Sequence, residues 1–307
     1  MSVVLSLRQE NSSRNYSRLK KFLILGGNGF IGRHLAAHFR LVCPEAEVET
    51  LSLPVIDLED PGCRKELLSH YDGNTVLILL AATKRQYGDS LESFRRNLAI
   101  VENVGLALVE QKPLRLLFFS SAAVYGEETN DLALREASAI CPQTFYGLSK
   151  FNGERMLGMM LKDWATQAML CLRPPLVYGP GDKGRTYGPS GFCIAALGGE
   201  KIQMWGDGTE LREFLFIEDL CRVVVALLAR GATGVINLAF GQSHSFKEVI
   251  YRIEAILGQS LDPVILRRTK IKADNRFDPT YLRSLLSPSI QPTPLDQGLR
   301  RILEARV

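Results

Sequence analysis

The chain has 307 residues, of which 46% are hydrophobic and 23% are charged. These fractions are typical of a globular protein, and a folded chain of this length buries roughly 75% of its unfolded surface, so a core forms without disulfide or metal staples. The formal net charge of +4 is too small to indicate a nucleic-acid partner. No apolar run approaches the roughly 18 residues of a membrane span, so we expect no membrane partner.

The cysteines and the N-terminal segment favour a cytoplasmic location. The six cysteines lie far apart and form no Cys-x-x-Cys pair, which favours a reducing compartment and offers no metal cage. Residues 1–21 start with a short apolar stretch and turn polar, without the apolar length or the cleavage site of a signal peptide. We expect this segment to be a flexible tail and the protein to be cytoplasmic.

Short apolar runs alternate with helical patterns along the chain. The predicted strands are Phe22–Gly26, Val48–Leu53, Val76–Ala81, Leu114–Ser120, Ala168–Arg173 and Val235–Ala239. The predicted helices are Gly32–Leu41, Leu91–Glu110, Tyr146–Asp163 and Asp219–Ala229. Such apolar strands with intervening helices predict an α/β fold with a doubly wound parallel sheet that is buried on both faces.

The pattern changes near Tyr178. Residues 178–191 contain five glycines and two prolines, which predicts a loop over a site. Two amphipathic helices are predicted beyond it, at Ser245–Leu257 and Pro294–Ala305. The expected organisation is, in chain order, a tail at 1–21, a larger domain at 22–178 to which 210–240 return, and a smaller mixed α/β lobe formed mainly by 179–307.

A glycine-rich turn follows the first predicted strand and opens the first helix. Its sequence, GGNGFIG, spaces Gly26, Gly29 and Gly32 so that the backbone can turn tightly, approach a pyrophosphate and pack the helix on the strand. The N–H groups and the dipole of the helix N-terminus, at Phe30 and Ile31, favour the anion. The succession of strand, turn and helix predicts a Rossmann-type dinucleotide-binding domain.

The end of the second predicted strand bears on the choice between NAD and NADP. NAD-binding folds usually place an acidic residue there to hold the adenosine ribose, whereas this chain has Ser52. A serine neither repels a 2′-phosphate nor supplies the positive charge that would hold one, so both cofactors remain open. Asp57 and Leu58 follow the next turn and are candidates for adenine contact, with a solvated loop acid as the alternative for Asp57.

Three residues form a candidate catalytic site. Tyr146 and Lys150 share one face of a predicted helix, and Ser121 ends the fourth predicted strand, at the edge where open α/β sheets hold their ligands. Tyrosine has a pKa near 10 and is a poor base at neutral pH, but a neighbouring ammonium and an oxidised nicotinamide ring both favour the phenolate. Ser121 can hydrogen-bond the reacting carbonyl or alcohol. These residue types predict an oxidoreductase.

From Phe22 onward the sequence resembles the extended short-chain dehydrogenase/reductase family, whose members are nucleotide-sugar epimerases, dehydratases and reductases. The matching segments are GGNGFIG (26–32), LLAA (79–82), SSAAVYG (120–126), YGLSK (146–150), LRPPLVYGPGD (172–182) and GDGTELREFLFIEDL (206–220). The resemblance implies NAD or NADP in the first lobe and a nucleoside-diphosphate sugar in the second. It implies the catalytic roles given above for Ser121, Tyr146 and Lys150.

The resemblance also implies further binding residues. The implied cofactor contacts are Leu80, Ala81, Ala82 and Asn97, and the implied substrate contacts are Ser121, Tyr178, Arg212 and Arg268. A helix-surface asparagine is an equal alternative for Asn97. Arg212 is suited to hold the substrate pyrophosphate, with a surface ion pair as the alternative. Arg268 lacks the family's usual Arg-x-Gly-Asp context, so a solvated charged segment is the alternative there.

The family often dimerises by packing two helices of each subunit into a four-helix bundle. Leu91–Glu110 and Tyr146–Asp163 are long and apolar enough for this role, so the resemblance implies a homodimer. His34 and His38 have the spacing of helical zinc ligands, but we interpret them as helix-surface residues and expect no metal.

Within the family, the residues after the candidate serine favour a reductase. The 4,6-dehydratases carry an acidic pair there, whereas this chain has Ala122 and Ala123. NLAIVEN (97–103) and WGDGTELREF (205–214) resemble the GDP-fucose-synthase branch, which reduces a 4-keto sugar. That branch epimerises C3 and C5 with a cysteine after the serine and a histidine after Tyr-Gly-Pro, and both are missing here. We predict simple reduction of the C4 keto group of an NDP-4-keto-6-deoxyhexose.

Two alternatives remain open. An NAD-dependent nucleotide-sugar 4-epimerase would use the same three residues; the missing acid at Ser52 and the missing Gly-Thr-x-Asn run after Asn97 weigh against it. A catalytically silent NAD(P)-sensing regulator on the same fold is the more remote alternative, because a sensor would need none of the three catalytic side chains.

Overall fold

The computed structural model describes residues 19–83, 88–126, 131–184, 188–268 and 272–305. The strands are β1 Lys21–Leu25, β2 Glu47–Leu51, β3 Thr75–Leu79, β4 Arg115–Phe119, β5 Met169–Arg173, β6 Leu176–Tyr178, β7 Gln203–Trp205, β8 Leu211–Phe216, β9 Gly234–Asn237, β10 Ser243–Ser245 and β11 Val264–Leu266. The α-helices are α1 Phe30–Val42, α2 Cys63–Ser69, α3 Leu91–Glu110, α4 Phe145–Ala168, α5 Gly188–Leu197, α6 Ile217–Ala229, α7 Phe246–Leu257, α8 Thr280–Leu285 and α9 Leu295–Glu304.

The main sheet has six parallel strands in the order β2-β1-β3-β4-β5-β9. Alternate side chains of β1 enter two separate cores: Phe22 and Ile24 pack with α1 and α6 on one face, while Leu23 and Leu25 pack with α2, α3 and α4 on the other. All four side chains are fully buried, as a sheet covered on both faces requires. The structure therefore confirms the predicted α/β fold with a doubly wound parallel sheet.

Two smaller sheets lie outside the main one. β8 pairs in parallel with β6 and antiparallel with β10, and β11 pairs in parallel with β7. A third core, with Phe192, Ile250 and Leu299 from α5, α7 and α9, packs on these elements. Within the returning segment 210–240, β8 belongs to the three-stranded sheet, and β9 completes the edge of the main sheet.

The predicted loop at 178–191 is wrong at its C-terminal end. Residues 188–191 form the first turn of α5 and are buried, and residues 185–187 lie outside the described part of the chain. The proline near the start of this helix is a residue type that a first turn accepts, and burial of the apolar stretch that follows stabilises the helix. Of the expected tail, residues 1–18 also lie outside the described part.

In the residues that the structure describes, no helix is long and apolar enough to cross a membrane. All six cysteines carry free thiols, and only Cys141 is exposed.

Candidate active site

The glycine-rich turn lies at the carboxyl end of β1 and leads into α1. Gly26 has φ +92°, and a Cβ there would lie 2.7 Å from the Ala81 nitrogen. A Cβ on Gly32 would lie 2.5 Å from the Gly26 carbonyl oxygen, whereas a Cβ on Gly29 would have only that oxygen within 4 Å, at 3.2 Å. Gly26 and Gly32 therefore permit tight packing, and Gly29 leaves the approach to the helix N-terminus open. This cradle fits a dinucleotide pyrophosphate.

The predicted cofactor residues after β2 and β3 line the same edge of the sheet. The backbone N–H groups of Leu80 and Ala81 both donate to the Leu25 carbonyl at 2.9 Å, which holds the start of this half-buried loop, through Ala82, beside the turn. The Ser52 hydroxyl donates to the Leu51 carbonyl and accepts from the Asn28 N–H at 3.1 Å. Ser52 therefore lies directly against the glycine-rich turn.

Asp57 and Leu58 differ in their accessibility to a ligand. Asp57 is exposed and accepts a hydrogen bond from the Glu59 N–H at 3.0 Å. Leu58 is buried in the core, and its carbonyl accepts from the Asn103 amide. The Leu58 side chain therefore belongs to the core, and its contact with adenine stays a prediction.

Arg33 is a positive charge beside the turn that the sequence reasoning missed. Its guanidinium donates to the Asn28 carbonyl at 2.9 Å and to the Gly181 carbonyl at 3.2 Å. His34 contacts the same loop, because its Nε2 lies 2.9 Å from the Pro180 carbonyl oxygen. The start of α1 is thus tied to the loop after β6. The sequence signal that could have identified Arg33 was its position directly after the last glycine of the turn.

Ser121, Tyr146 and Lys150 are brought together at the carboxyl edge of the main sheet. Ser121 follows β4 and caps a 3₁₀ turn at Ala122–Tyr125 by accepting from the Ala123 N–H at 3.1 Å. A Cβ on Gly147 would lie 2.5 Å from the Ala123 carbonyl oxygen, so this turn packs directly on the first turn of α4. Tyr146 is half-buried in that same turn of helix. The turn that follows the serine therefore lies against the turn of helix that carries the tyrosine.

Lys150 occupies a buried position one helical turn beyond Tyr146. Its Nζ donates to the Phe119 carbonyl at 2.8 Å and lies 5.8 Å from the centre of the Tyr146 ring. Burial lowers the pKa of Lys150 to about 8, an effect that the negative charge of the nearby Glu154 opposes. An ammonium that is desolvated but held on a carbonyl can stabilise a phenolate and hold ribose hydroxyls.

Asn97 is buried rather than on the helix surface. Its Oδ1 accepts from the Thr83 N–H at 2.7 Å, and its Nδ2 donates to the Thr83 carbonyl and to the Ser149 hydroxyl. Ser149 in turn donates to the Tyr146 carbonyl at 2.8 Å. Asn97 therefore ties the loop after β3 to the helix that carries Tyr146, and the helix-surface alternative is excluded.

Asp89 is a second tether that the sequence reasoning missed. Its carboxylate accepts from the Tyr146 N–H at 2.9 Å and so caps the first turn of α4. An acidic side chain is favourable at a helix N-terminus. The sequence signal for this tether was weak: Asp89 lies in a polar, glycine-containing segment before α3.

A buried ion pair behind the catalytic residues was also missed. The Arg173 guanidinium on β5 makes two hydrogen bonds to the Glu154 carboxylate on α4, at 2.9 and 2.6 Å. The available signal was an arginine inside an otherwise apolar strand, because a buried charge there requires a partner.

The predicted substrate residues have different surroundings. Tyr178 is only 2% exposed and packs among Phe214 and Phe216, and burial raises the pKa of its hydroxyl. Its ring therefore lies in the third core, and its contact with a substrate stays a prediction. Arg212 on β8 donates to the carbonyls of Leu211 and Ala273, at 2.8 and 2.6 Å.

The neighbours of Arg212 bear on its alternative interpretation as a surface ion pair. Glu213 is buried and accepts from the backbone N–H groups of Phe240 and Gly241, and Glu218 pairs with Arg301. Both acidic residues thus have partners of their own.

Arg268 is held by two carboxylates. It lies 2.9 Å from Asp207 and 3.1 Å from Glu210. Its charge is therefore compensated within the smaller lobe, as in the solvated alternative.

Comparison with known proteins gives the family. Residues 22–239 match the NAD dependent epimerase/dehydratase family. The chain is 27% identical to a dTDP-4-dehydro-6-deoxy-D-allose reductase from a Streptomyces species, over 85% of this chain and 92% of that protein. The fold is similar to UDP-glucose 4-epimerase from Thermotoga maritima, with a TM-score of 0.81, 21% identity, and coverage of 93% and 98% of the two chains. It is also similar to RMD from Pseudomonas aeruginosa complexed with NADPH, with a TM-score of 0.79, 23% identity, and coverage of 94% and 98%.

The matched segment spans more than half of the chain, and the protein belongs to the NAD dependent epimerase/dehydratase family. It is an enzyme whose cofactor is NAD or NADP. These comparisons confirm the family resemblance and the cofactor prediction.

Proposed function

We propose that the enzyme reduces the C4 keto group of a nucleoside-diphosphate 4-keto-6-deoxyhexose and leaves C3 and C5 unchanged. The observation that carries this proposal is the composition of the carboxyl edge of the main sheet: it holds Ser121, Tyr146 and Lys150, while the two side chains after the serine are Ala122 and Ala123. Methyl groups cannot exchange protons with carbon. The similarity to a 4-dehydro-6-deoxy sugar reductase supports the same choice.

The chemistry follows from the roles of three side chains. The nicotinamide, when bound, supplies the hydride to C4. Ser121 donates a hydrogen bond that orients the carbonyl oxygen. Tyr146 gives that oxygen its proton, as a general acid. Lys150, held on the Phe119 carbonyl, binds the ribose hydroxyls and lowers the pKa of the phenol through its charge.

The two ligands divide between the two lobes. Gly26, Gly29 and Gly32 and the loop after β3 form the cofactor cradle of the larger lobe. Arg212, on the three-stranded sheet of the smaller lobe, binds the pyrophosphate of the nucleotide sugar, for which a guanidinium fork is suited.

A 4-epimerase is the second candidate, and the fold similarity to a UDP-glucose 4-epimerase favours it. An epimerase must return its hydride to the substrate, so its cofactor stays bound through the cycle. Ser52 offers no carboxylate to grip a ribose diol, which favours an exchangeable cofactor and hence a reductase.

The purified protein separates the two candidates. We expect it to emerge without tightly bound NAD and to oxidise added NADPH or NADH when given a 4-keto-6-deoxy sugar nucleotide. Stoichiometric NAD in the purified protein, with interconversion of two 4-hydroxy sugar nucleotides, would support the epimerase instead.

We also propose a homodimer and a cytoplasmic location. The neighbouring helices α3 and α4 expose Leu106, Val109 and Met159, apolar side chains that a four-helix bundle would cover. Six unpaired thiols suit a reducing compartment. Light scattering behind size exclusion, with Met159→Glu as the disrupting variant, tests the dimer.

A further inference from the structure

A buried polar network lies directly behind the proposed catalytic residues. At its centre, Glu154 and Arg173 form an ion pair in which both side chains are less than 10% exposed. The Ser120 hydroxyl donates to Glu154, and Arg173 donates to the Tyr125 hydroxyl at 2.8 Å. Tyr125 in turn donates to Asn237 at 2.8 Å. The network therefore joins β4, the 3₁₀ turn, α4, β5 and β9.

Each end of this network lies close in sequence to a proposed catalytic residue. Ser120 immediately precedes Ser121, and Glu154 is one helical turn beyond Lys150 on α4. The 3₁₀ turn that begins after Ser121 ends at Tyr125, which the network also holds. The Ala122 N–H donates to the Pro174 carbonyl at 2.9 Å, next to Arg173. Movement of the ion pair would thus move the serine relative to the helix that carries Tyr146 and Lys150.

The charges around Lys150 give the network an electrostatic role as well. The ammonium donates to the Phe119 carbonyl from β4 and lies 5.8 Å from the centre of the Tyr146 ring, and the titratable groups that act on it electrostatically are Cys171 from β5 and Glu154 from α4 itself. Burial raises the pKa of Cys171 well above its usual value, so this thiol is neutral. Glu154 is therefore the anion that favours the charged form of Lys150.

We propose that Glu154, fixed by Arg173, is a positioning residue that sets the separation of Ser121 from Tyr146 and keeps Lys150 charged. This inference rests on the Ser121–Tyr146–Lys150 site proposed above. A pair that served stability alone could be replaced by apolar side chains without functional loss, as buried ion pairs in proteins often can. A pair that positions catalytic residues cannot be replaced in this way without loss of activity.

The test uses Glu154→Gln, which keeps the shape of the side chain and removes its charge. The double variant Glu154→Gln/Arg173→Met avoids a lone buried guanidinium and serves if the single variant does not fold. Asp219→Asn is the matched control, because Asp219 is an equally buried carboxylate that pairs with Arg222 and binds Thr293. For each folded variant, kcat and KM are measured together with the pH dependence of NADPH and NADH affinity.

We expect Glu154→Gln to lower kcat on the order of 10- to 100-fold, the size of effect that misplaced catalytic groups produce, with KM nearly unchanged. The alkaline midpoint of cofactor affinity should move to lower pH, because loss of the anion disfavours the Lys150 ammonium. Asp219→Asn should move neither quantity. A folded Glu154→Gln or double variant with wild-type kcat and an unmoved midpoint would overturn the proposal, as would equal effects from Asp219→Asn.

The binding midpoint needs no sugar substrate. If the wild-type protein reduces no 4-keto sugar, the proposed function fails, while the shift in midpoint still decides whether Glu154 acts on Lys150.

Discussion

The Lys150 ammonium lies 5.8 Å from the centre of the Tyr146 ring while donating to the Phe119 carbonyl at 2.8 Å. The carbonyl ends β4 and the tyrosine begins α4, so one buried lysine joins the strand that leads to Ser121 with the helix that carries the proton donor. Its position makes the proposed reduction depend on the protonation state of a group that burial has brought within reach of physiological pH.

Replacing Tyr146 by phenylalanine tests the proton donor. The change removes only the hydroxyl, so we expect turnover to fall by about 10² to 10⁴-fold, the usual contribution of general acid–base catalysis, with cofactor affinity unchanged. Steady-state kinetics and a fluorescence titration with NADPH measure the two quantities. Tyr71→Phe is the control, because its buried hydroxyl bonds the Gln111 carbonyl. Near-wild-type turnover in Tyr146→Phe would remove this residue from its proposed role.

Gly29→Val tests the dinucleotide cradle. A branched side chain at the N-terminus of α1 would occupy the space that the pyrophosphate needs, so we expect loss of measurable NAD(P) binding in a folded protein. Gly73→Val is the control, since a Cβ at Gly73 would meet nothing within 4 Å. Calorimetric titration measures affinity and circular dichroism checks folding. Tight binding by folded Gly29→Val would place the pyrophosphate elsewhere.

Cofactor affinity should weaken above about pH 8. The pKa of Lys150 is lowered to about 8 from its usual 10.5, so the ammonium is present below this pH and is lost above it. Affinity measured from pH 6 to pH 10 should show this midpoint in the wild type and in Tyr146→Phe alike, whereas Lys150→Met should bind weakly at every pH. A flat wild-type profile would contradict the assignment of the ribose contact to Lys150.

Arg212→Ala should raise KM for the sugar nucleotide at least tenfold and leave kcat within a few-fold, because a contact with the non-reacting pyrophosphate contributes equally to ground-state and transition-state binding. Arg268→Ala, whose charge Asp207 and Glu210 already compensate, should have a smaller effect. A larger effect at Arg268 would exchange the two roles.

Much of the larger lobe follows from local pattern. Apart from β2, the main-sheet strands are largely apolar, and α3 has the predicted bounds because the Ser90 hydroxyl caps it and the Ser90 N–H donates to the Ser93 hydroxyl in return. The first turn of α5 contains glycine and proline, so its sequence resembles that of a loop. It is helical because its residues are buried against the rest of the fold. Local sequence could not show the tethers from Asp89 and Asn97 to α4, because their partners are 57 and 52 residues away along the chain.

The same limit applies to the substrate residues. The motif that contains Tyr178 is informative about the family, but the side chain enters the third core, where its hydroxyl would meet a Cβ on Gly298 at 2.3 Å. Arg173 illustrates the reverse case, since its charge within an apolar strand indicates a buried partner but only the fold identifies Glu154.

The most direct measurement of the central claim is incubation of the enzyme with NADPH or NADH and a 4-keto-6-deoxy sugar nucleotide in D₂O, followed by nuclear magnetic resonance of the product. We expect one cofactor oxidised for each sugar reduced, a single 4-hydroxy product, and no deuterium at C3 or C5. Deuterium at either carbon, or interconversion of two 4-hydroxy sugar nucleotides without added cofactor, would contradict it.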